Sequence, residues 1–379
     1  MKLLIDPEIF FYGRCGMVRY YSTLFRELEK RGVDIDLPLL LSGSDFIRGK
    51  ITDLERGRNL IGKVRGWNRL QALLNRASKK WYRLKLGRGD YDAVFITSPV
   101  FEDRFLMELP EHKPSIMVVH DTMRCVLGPD GLYDPSGSNA DRLAYLIDHV
   151  STVVAISNQT KADILVLTQA EEDRIHVIHT GNLLSLDAER PIHGLPRRYL
   201  LFVGDRTGRK NFRFFVHCIA RWLREEETDL HLVCTGKTNP WEQALLKKLG
   251  LQDRVHFFDA PDDVLVSLYK QALGLVFPSL YEGFGLPVLE AMALGCPVLT
   301  STTGALLEVG GDAAVYVDPV NSASILEGVR SIVKNPTLRQ ELIQKGLRQS
   351  RNFGMSRMVD MFMERIEASV TAICDKTAQ

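Results

Sequence analysis

A chain of 379 residues, 45% of them hydrophobic and 25% charged, is long enough for two domains with separate cores and has the make-up of an ordinary soluble globular protein. Its net charge of +1 argues against nucleic acid as an overall partner, and its six cysteines show no Cys-x-x-Cys spacing, so neither zinc nor a disulfide framework is suggested and a reducing cytoplasm is the simplest setting. The start, Met1-Lys2-Leu3-Leu4-Ile5-Asp6, meets an acid too soon for a signal peptide, and no apolar run reaches the ~20 residues that span a bilayer.

In chain order, residues 2–6 read as a buried strand and 17–30 as a helix with Val18, Tyr21, Leu24, Phe25 and Leu28 on one face. Residues 33–41 read as extended, and 92–97, 116–120 and 152–156 as short buried strands. Ser157 has the place of an N-cap for a helix reaching about residue 168, and 175–178 closes this half. The stretch 181–198, with Pro191, Gly194 and Pro196, reads as a linker. A second series of strands follows at 199–203, 230–235, 255–258, 273–277, 298–300 and 314–317, separated by helical segments. A last helix at 356–374 carries the stripe Val359, Phe362, Ile366, Val370 and Ile373. Alternating β and α units predict an α/β protein with parallel sheets covered on both faces. Two such series predict two facing Rossmann-like domains, with ligand at the carboxyl ends of the strands.

Residues 48–88 stand apart, with 13 Lys or Arg against two acids, Asp53 and Glu55. Within them Trp67, Leu70, Leu74, Ala77, Trp81 and Leu84 recur at helical spacing, with Arg69, Arg76, Lys79, Lys80 and Arg83 between. The apolar stripe is expected either to dock on the first sheet or to meet a partner, and the charge density points to an anionic membrane surface.

Residues 278–297, PSLYEGFGLPVLEAMALGCP, hold the densest set of chemical signals. A buried strand ends at Phe277, Gly283 and Gly285 sit in a tight loop, and Pro287 suits the first residue of a helix that Gly295 and Pro297 end. A strand, a glycine loop and a helix N-terminus together make an anion site. Glu282 stands at the loop entrance, and Glu290 falls in the first helical turn, free to turn back towards the loop mouth and accept two hydroxyls of a diol. Taken alone, Glu290 would be dipole compensation; beside the paired glycines and Glu282 it reads as a ligand group.

This stretch resembles the glutamate–seven–glutamate motif of the retaining glycosyltransferases of family 4, which have the GT-B fold. Pro278-Ser279, Tyr281 to Pro287, Glu290-Ala291 and Gly295-Cys296-Pro297-Val298 all look like that family. The resemblance implies an acceptor-side domain over 1–190, a nucleotide-sugar-binding domain over 191–355, and a helix over 356–379 that packs back on the first. It implies that Glu290 binds the ribose, that Glu282 contacts sugar hydroxyls, and that Gly283, Phe284, Gly285 and Leu286 line the donor with backbone amides. The run Gly204-Asp205-Arg206-Thr207-Gly208-Arg209-Lys210 resembles the family's glycine–spacer–Arg–Lys loop, which puts Arg209 and Lys210 on the donor phosphates, with Arg206 a lesser candidate.

His120-Asp121 resembles the family's His-Asp pair, whose histidine touches the donor sugar. On its own, His120 would be a structural hydrogen-bonding group and Asp121 a cap. Residues 13–20 resemble the glycine-rich loop before the family's first helix. Cys15 and Val18 stand where glycines are common, so Gly16 is the position carried over, and Gly-x-Gly-x-x-Gly is absent. Asp34-Ile35-Asp36 has the acid–x–acid spacing of a metal site but reads as a solvated strand face. Asp259, Asp262 and Asp263 read as a turn and helix cap.

The expected protein is therefore a metal-independent retaining glycosyltransferase with no cofactor beyond its nucleotide-diphosphate sugar. It moves a hexose, mannose among the candidates, to a glycan or lipid-linked acceptor in surface-polysaccharide (lipopolysaccharide) assembly. It is expected to be cytoplasmic or peripheral on the inner face of the cytoplasmic membrane. No covalent nucleophile is evident, so front-side attack assisted by a leaving-group phosphate oxygen is expected. The alternatives are a nucleotide-sugar epimerase of related fold, which would form product with no acceptor present, and a catalytically silent nucleotide- or glycan-binding partner subunit.

Overall fold

The computed structural model describes residues 1–12, 15–40, 67–97, 109, 113–126, 139–186, 189–206 and 208–377. Gly13, Arg14, Thr207, the 48–66 part of the basic stretch and residues 187–188 of the expected linker lie outside the described residues. The described residues form two six-stranded, wholly parallel sheets. The first holds β1 (Lys2–Ile5), β2 (Asp34–Asp36), β3 (Ala93–Ile96), β4 (Ser115–Val119), β5 (Thr152–Ala155) and β6 (Ile175–Val177), in the order β2-β1-β3-β4-β5-β6. The second holds β7 (Tyr199–Phe202), β8 (His231–Thr235), β9 (Val255–Phe258), β10 (Gly274–Phe277), β11 (Val298–Ser301) and β12 (Ala314–Val317), in the order β12-β11-β10-β7-β8-β9. The central strands are buried along their whole length and mostly apolar, because helices cover both faces.

Strand order decides where chemistry can sit. The second sheet switches direction between β7 and β10, which pair in parallel at Leu275 and Leu201. The loops leaving those two strands, one after Phe202 and one after Phe277, therefore emerge side by side at the carboxyl edge. The backbone N–H of Leu280 donates to the Arg209 carbonyl at 2.7 Å. A crevice at such a switch point is where open α/β sheets hold ligands.

The closing helix, Met355–Thr377, packs against the first sheet. Phe362 and Ile366 are buried in the core that holds Phe95, with the Phe95 and Phe362 rings 5.9 Å apart. Thr152 and Ser369 join hydroxyls at 2.6 Å, and Arg31 pairs with Asp360. The segment joining the two sheets is anchored too: Leu183 and Leu184 are buried, and the Asn182 N–H donates to the Phe353 carbonyl.

Two expectations change. The extended run at 33–41 shortens to the three residues of β2, because Pro38 has no N–H for a ladder and Leu39 folds back to the Leu37 carbonyl. Of its two acids, Asp34 is exposed and Asp36 accepts from Lys85 at 2.6 Å. The second change concerns the helix Trp67–Arg88. Its expected docking stripe faces outward, with Leu70, Ala77, Trp81 and Leu84 all exposed. The opposite strip, Ser78, Tyr82 and Leu86, is the buried one. Tyr82 and Leu86 share a core with Leu4 and Val94, and the Ser78 hydroxyl accepts from the Leu40 N–H at 3.0 Å. Spacing alone could not separate these strips, since Ser78, Tyr82 and Leu86 recur at helical spacing too. Among the described residues, no helix is long and apolar enough to cross a membrane.

Candidate active site

The loop after β10 contains Glu282, and the loop after β7 contains Arg209 and Lys210. Because the two strands are neighbours, the three side chains meet. The Glu282 carboxylate accepts from Arg209 at 2.6 Å and lies 2.8 Å from the Lys210 ammonium. Lys210 is buried and sits 4.3 Å from the centre of the Phe277 ring. Burial pushes the Lys210 amine below its ordinary range, with Glu282 pulling the other way. The basic pair is thus a carboxylate-paired cluster at the cleft.

Gly283 carries the contact between the two halves. A Cβ there would overlap the His120 carbonyl oxygen and fall 2.7 Å from the Asp121 Cβ. The Gly283 carbonyl accepts from the Ser157 hydroxyl at 2.7 Å, while Ser157 also caps its own helix by accepting from the Thr160 N–H. Next to it, the Tyr281 hydroxyl donates to Asp163 at 2.6 Å and lies 2.8 Å from the Thr122 hydroxyl. Glu308 of the second half takes the Asn158 N–H at 3.0 Å, closing the N-terminus of the helix Asn158–Thr168, and also contacts His179. Burial raises the Glu308 pKa, but the hydrogen bonds from His179 and Asn158 outweigh it and bring the carboxyl below its ordinary value.

Gly285 is the N-cap of the helix Leu286–Ala293 at φ 113°, where a side chain would be strained and would meet Leu306 at 2.8 Å. Pro287 is therefore the second helical residue, and Leu286 the first. Phe284 is buried, its ring 5.6 Å from that of Phe353.

Glu290 departs from its expected free position. It is buried, its Oε2 accepts from the Tyr269 hydroxyl at 2.9 Å, and its Oε1 lies 3.5 Å from the Arg19 guanidinium. Burial pushes its carboxyl up, while Arg19 and Tyr269 oppose that shift. Arg19 and Gly16 come from the helix Gly16–Lys30 of the first half. Both line a cavity of about 490 Å³ whose other walls include Gly204, Thr235, Asp259 and Asp262. A volume of that size suits a small-molecule ligand. Gly16 starts the helix and faces open space, with nothing within 4 Å of where a side chain would begin. Arg206 also borders the cavity, but its guanidinium is spent on Glu242 at 2.7 Å and the Lys237 carbonyl at 2.6 Å, a structural role that displaces its candidacy for phosphate.

Asp262 and Asp263 lie in the first turn of a helix whose N-cap is Pro261, and Asp121 caps a short helix by accepting from the Met123 N–H. His120 is buried between the edges of Tyr20 and Tyr21, at ring separations of 4.7 and 5.2 Å. Its Nε2 has no hydrogen-bond partner among the described residues, and burial lowers its pKa to about 4. A neutral imidazole with a spare nitrogen suits a hydroxyl ligand. Among the described residues, no group of three His, Cys, Asp or Glu is placed to hold a metal ion.

Sequence reasoning missed Arg19, Tyr269, Ser157 as a donor across the cleft, and the Tyr281–Asp163 pair. Arg19 carried a signal of its own, since it lies three residues after Gly16 and shares its helical face.

Residues 15–182 match the model of Glycosyltransferase Family 4, and residues 187–349 match that of Glycosyl transferases group 1. The O-antigen chain mannosyltransferase B of Escherichia coli is 26% identical, over 93% of this chain and 96% of its own. Among solved structures, the sucrose-phosphate synthase of Thermosynechococcus elongatus superposes with a TM-score of 0.72 at 18% identity, covering 98% of this chain and 99% of that one. Anabaena HepE, solved in complex with UDP and glucose, superposes with a TM-score of 0.69 at 16% identity, covering 97% and 99%.

Two outcomes test this geometry. Gly283→Ala is expected to prop the cleft open while both halves stay folded, increasing the radius of gyration in small-angle scattering; an unchanged radius contradicts the contact. His120 is neutral when folded down to about pH 4 but titrates near 6.5 when unfolded. The unfolded chain therefore binds the extra proton first, and stability falls as pH drops from 6.5 to 4, by on the order of 3 kcal/mol in all. In denaturant titrations across that window, His120→Phe is expected to flatten the slope.

Proposed function

We propose that this chain, a glycosyltransferase of the GT-B type with a family 4 half and a group 1 half, transfers a hexose with retention from a nucleotide-diphosphate sugar to a glycan or lipid-linked acceptor, without a metal. The observation that carries this reading is the Glu282–Arg209–Lys210 cluster at the switch point, with the buried Glu290 in the helix that follows the loop. Mannose is favoured as the sugar because the relative matching 93% of the chain is an O-antigen chain mannosyltransferase. A nucleoside diphosphate as leaving group accords with the UDP and glucose held by the similarly folded HepE.

In this mechanism Glu290 receives the ribose hydroxyls, and the donor diphosphate takes Arg209 and Lys210 over from Glu282. The carboxylate so released accepts from sugar hydroxyls, and the neutral His120 hydrogen-bonds the sugar through Nε2. The acceptor hydroxyl attacks the anomeric carbon on the face from which the diphosphate departs. Its proton passes to a phosphate oxygen as the old C–O bond breaks. Cations already fixed before the charge develops lower the barrier most, since no reorganisation is needed then.

The exposed face of the helix Trp67–Arg88 supports a lipid-linked acceptor at an anionic membrane. Leu70, Leu73, Trp81 and Leu84 are 45%, 60%, 39% and 55% exposed, and Arg69, Arg76, Lys80, Arg83 and Arg88 are exposed with them. An outer helix face with both features matches an interfacial helix. Each basic residue near an anionic surface contributes about 1 kcal/mol, falling off within a Debye length. This would hold the enzyme at the inner face of the cytoplasmic membrane.

Nucleotide release from a panel of nucleotide sugars, with and without acceptor, tests the reaction. Acceptor-dependent release that persists in EDTA is expected; release lost in EDTA and regained with magnesium or manganese sinks the metal-free mechanism, and product without acceptor indicates an epimerase. Lys210→Ala is expected to lower kcat by about 10²–10³-fold, the range for loss of one transition-state donor. Glu290→Ala is expected to weaken nucleotide binding by about 1.5–3 kcal/mol with less effect on kcat, as removal of a charged hydrogen-bond acceptor does. For the membrane, co-sedimentation with vesicles containing anionic lipid is expected at low salt and in part at high salt, and Trp81→Glu with Leu84→Glu is expected to remove the salt-resistant part. No binding at low salt rules out the lipid surface.

A further inference from the structure

Glu290 obtains its cation from the opposite half of the molecule. Arg19, on the first helix, donates from Nη2 to the Leu183 carbonyl at 2.8 Å and to Asp262 at 3.0 Å. Its Nη1 lies 3.5 Å from Oε1 of Glu290, inside ion-pair range but longer than a normal hydrogen bond. Tyr269 holds the other carboxylate oxygen at 2.9 Å. The planar guanidinium is thus fixed by the connecting segment and by the second half at once. It supplies charge to the buried carboxylate without capping Oε1 by a short hydrogen bond. An ionised carboxylate oxygen has two acceptor sites, so a diol can still be taken.

Arg19 and Asp262 both line the 490 Å³ cavity, which is walled by residues of both halves. If the halves separate, Glu290 loses the Arg19 cation and keeps only the Tyr269 hydroxyl. The electrostatics of the ribose site are therefore complete only in the closed molecule.

We propose that Arg19 is a positioning residue for the nucleotide ribose, acting from the first half through Glu290, so that ribose recognition is complete only when the cleft is closed. This rests on the reading of Glu290 as the ribose-binding group.

Calorimetric titration of the full chain with UDP, GDP and ADP, and with their 2′-deoxy counterparts, separates the two. The wild type is expected to favour the ribose form of the nucleotide it binds by about tenfold, the effect of one hydrogen bond to a charged group. Glu290→Gln and Arg19→Gln are each expected to cut that preference below about twofold, and Arg19→Lys, which keeps the charge but not the fork, to recover part of it. A preference that vanishes in Glu290→Gln but persists in folded Arg19→Gln overturns the role of Arg19 and leaves that of Glu290 standing. A wild type that binds ribose and 2′-deoxyribose forms equally overturns both. Should Arg19→Gln fail to fold, Asp262→Asn loosens the guanidinium while keeping its charge; a reduced preference supports the proposal, and an unchanged one overturns it.

Discussion

A carboxylate shared by two cations is the constraint on which the cleft depends. Lys210 is buried, and an isolated ammonium in that position would lose its hydration without recompense. Glu282 supplies the missing partner, and Arg209 completes the cluster from the adjacent residue. Such buried ion groups add little to stability, because desolvation offsets most of the attraction. Their value lies in geometry, since two cations are held at fixed positions in a strand-switch crevice. The cluster exists only because β7 and β10 are neighbours, although their loops are some 70 residues apart in the chain.

The second half does not hold its glycine loop by itself. Ser157 and Thr160, at the N-terminus of a first-half helix, bind the Gly283 carbonyl, and Tyr281 reaches across to Asp163. Glu308 returns the favour by satisfying the end of that same helix. Each half therefore completes backbone hydrogen bonding in the other. Arg19 extends the same logic to Glu290. The glycine loop, Glu290 and the first half are linked through shared polar contacts, many of them buried.

The helix Trp67–Arg88 shows a different use of amphipathicity. Its inner strip combines a serine, a tyrosine and a leucine, whereas its outer face mixes leucines and a tryptophan with arginines and lysines. An ordinary surface helix turns its apolar side inward, because water penalises the reverse. Lys85 lies 5.4 Å from the centre of the Trp81 ring, so charge and aromatic surface already stand together on the outside.

Much of this molecule could be read from its sequence: two βα series, parallel sheets, nearly every strand, the Ser157 cap, and a glycine loop between Glu282 and Glu290. Those features are local, and the chain states them through short apolar runs, turn residues and helix caps. The residues singled out as chemical were also local, identified through one contiguous motif and a basic pair. What only the tertiary structure decided was partnership. Glu282 faces Arg209 and Lys210, Glu290 faces Tyr269 and Arg19, Arg206 is absorbed by Glu242, and the basic helix turns its leucines outward. Each of those outcomes depends on which strands are neighbours and on which strip of a helix finds the larger buried contact. Strand order and packing are properties of the whole chain, so no window of sequence contains them.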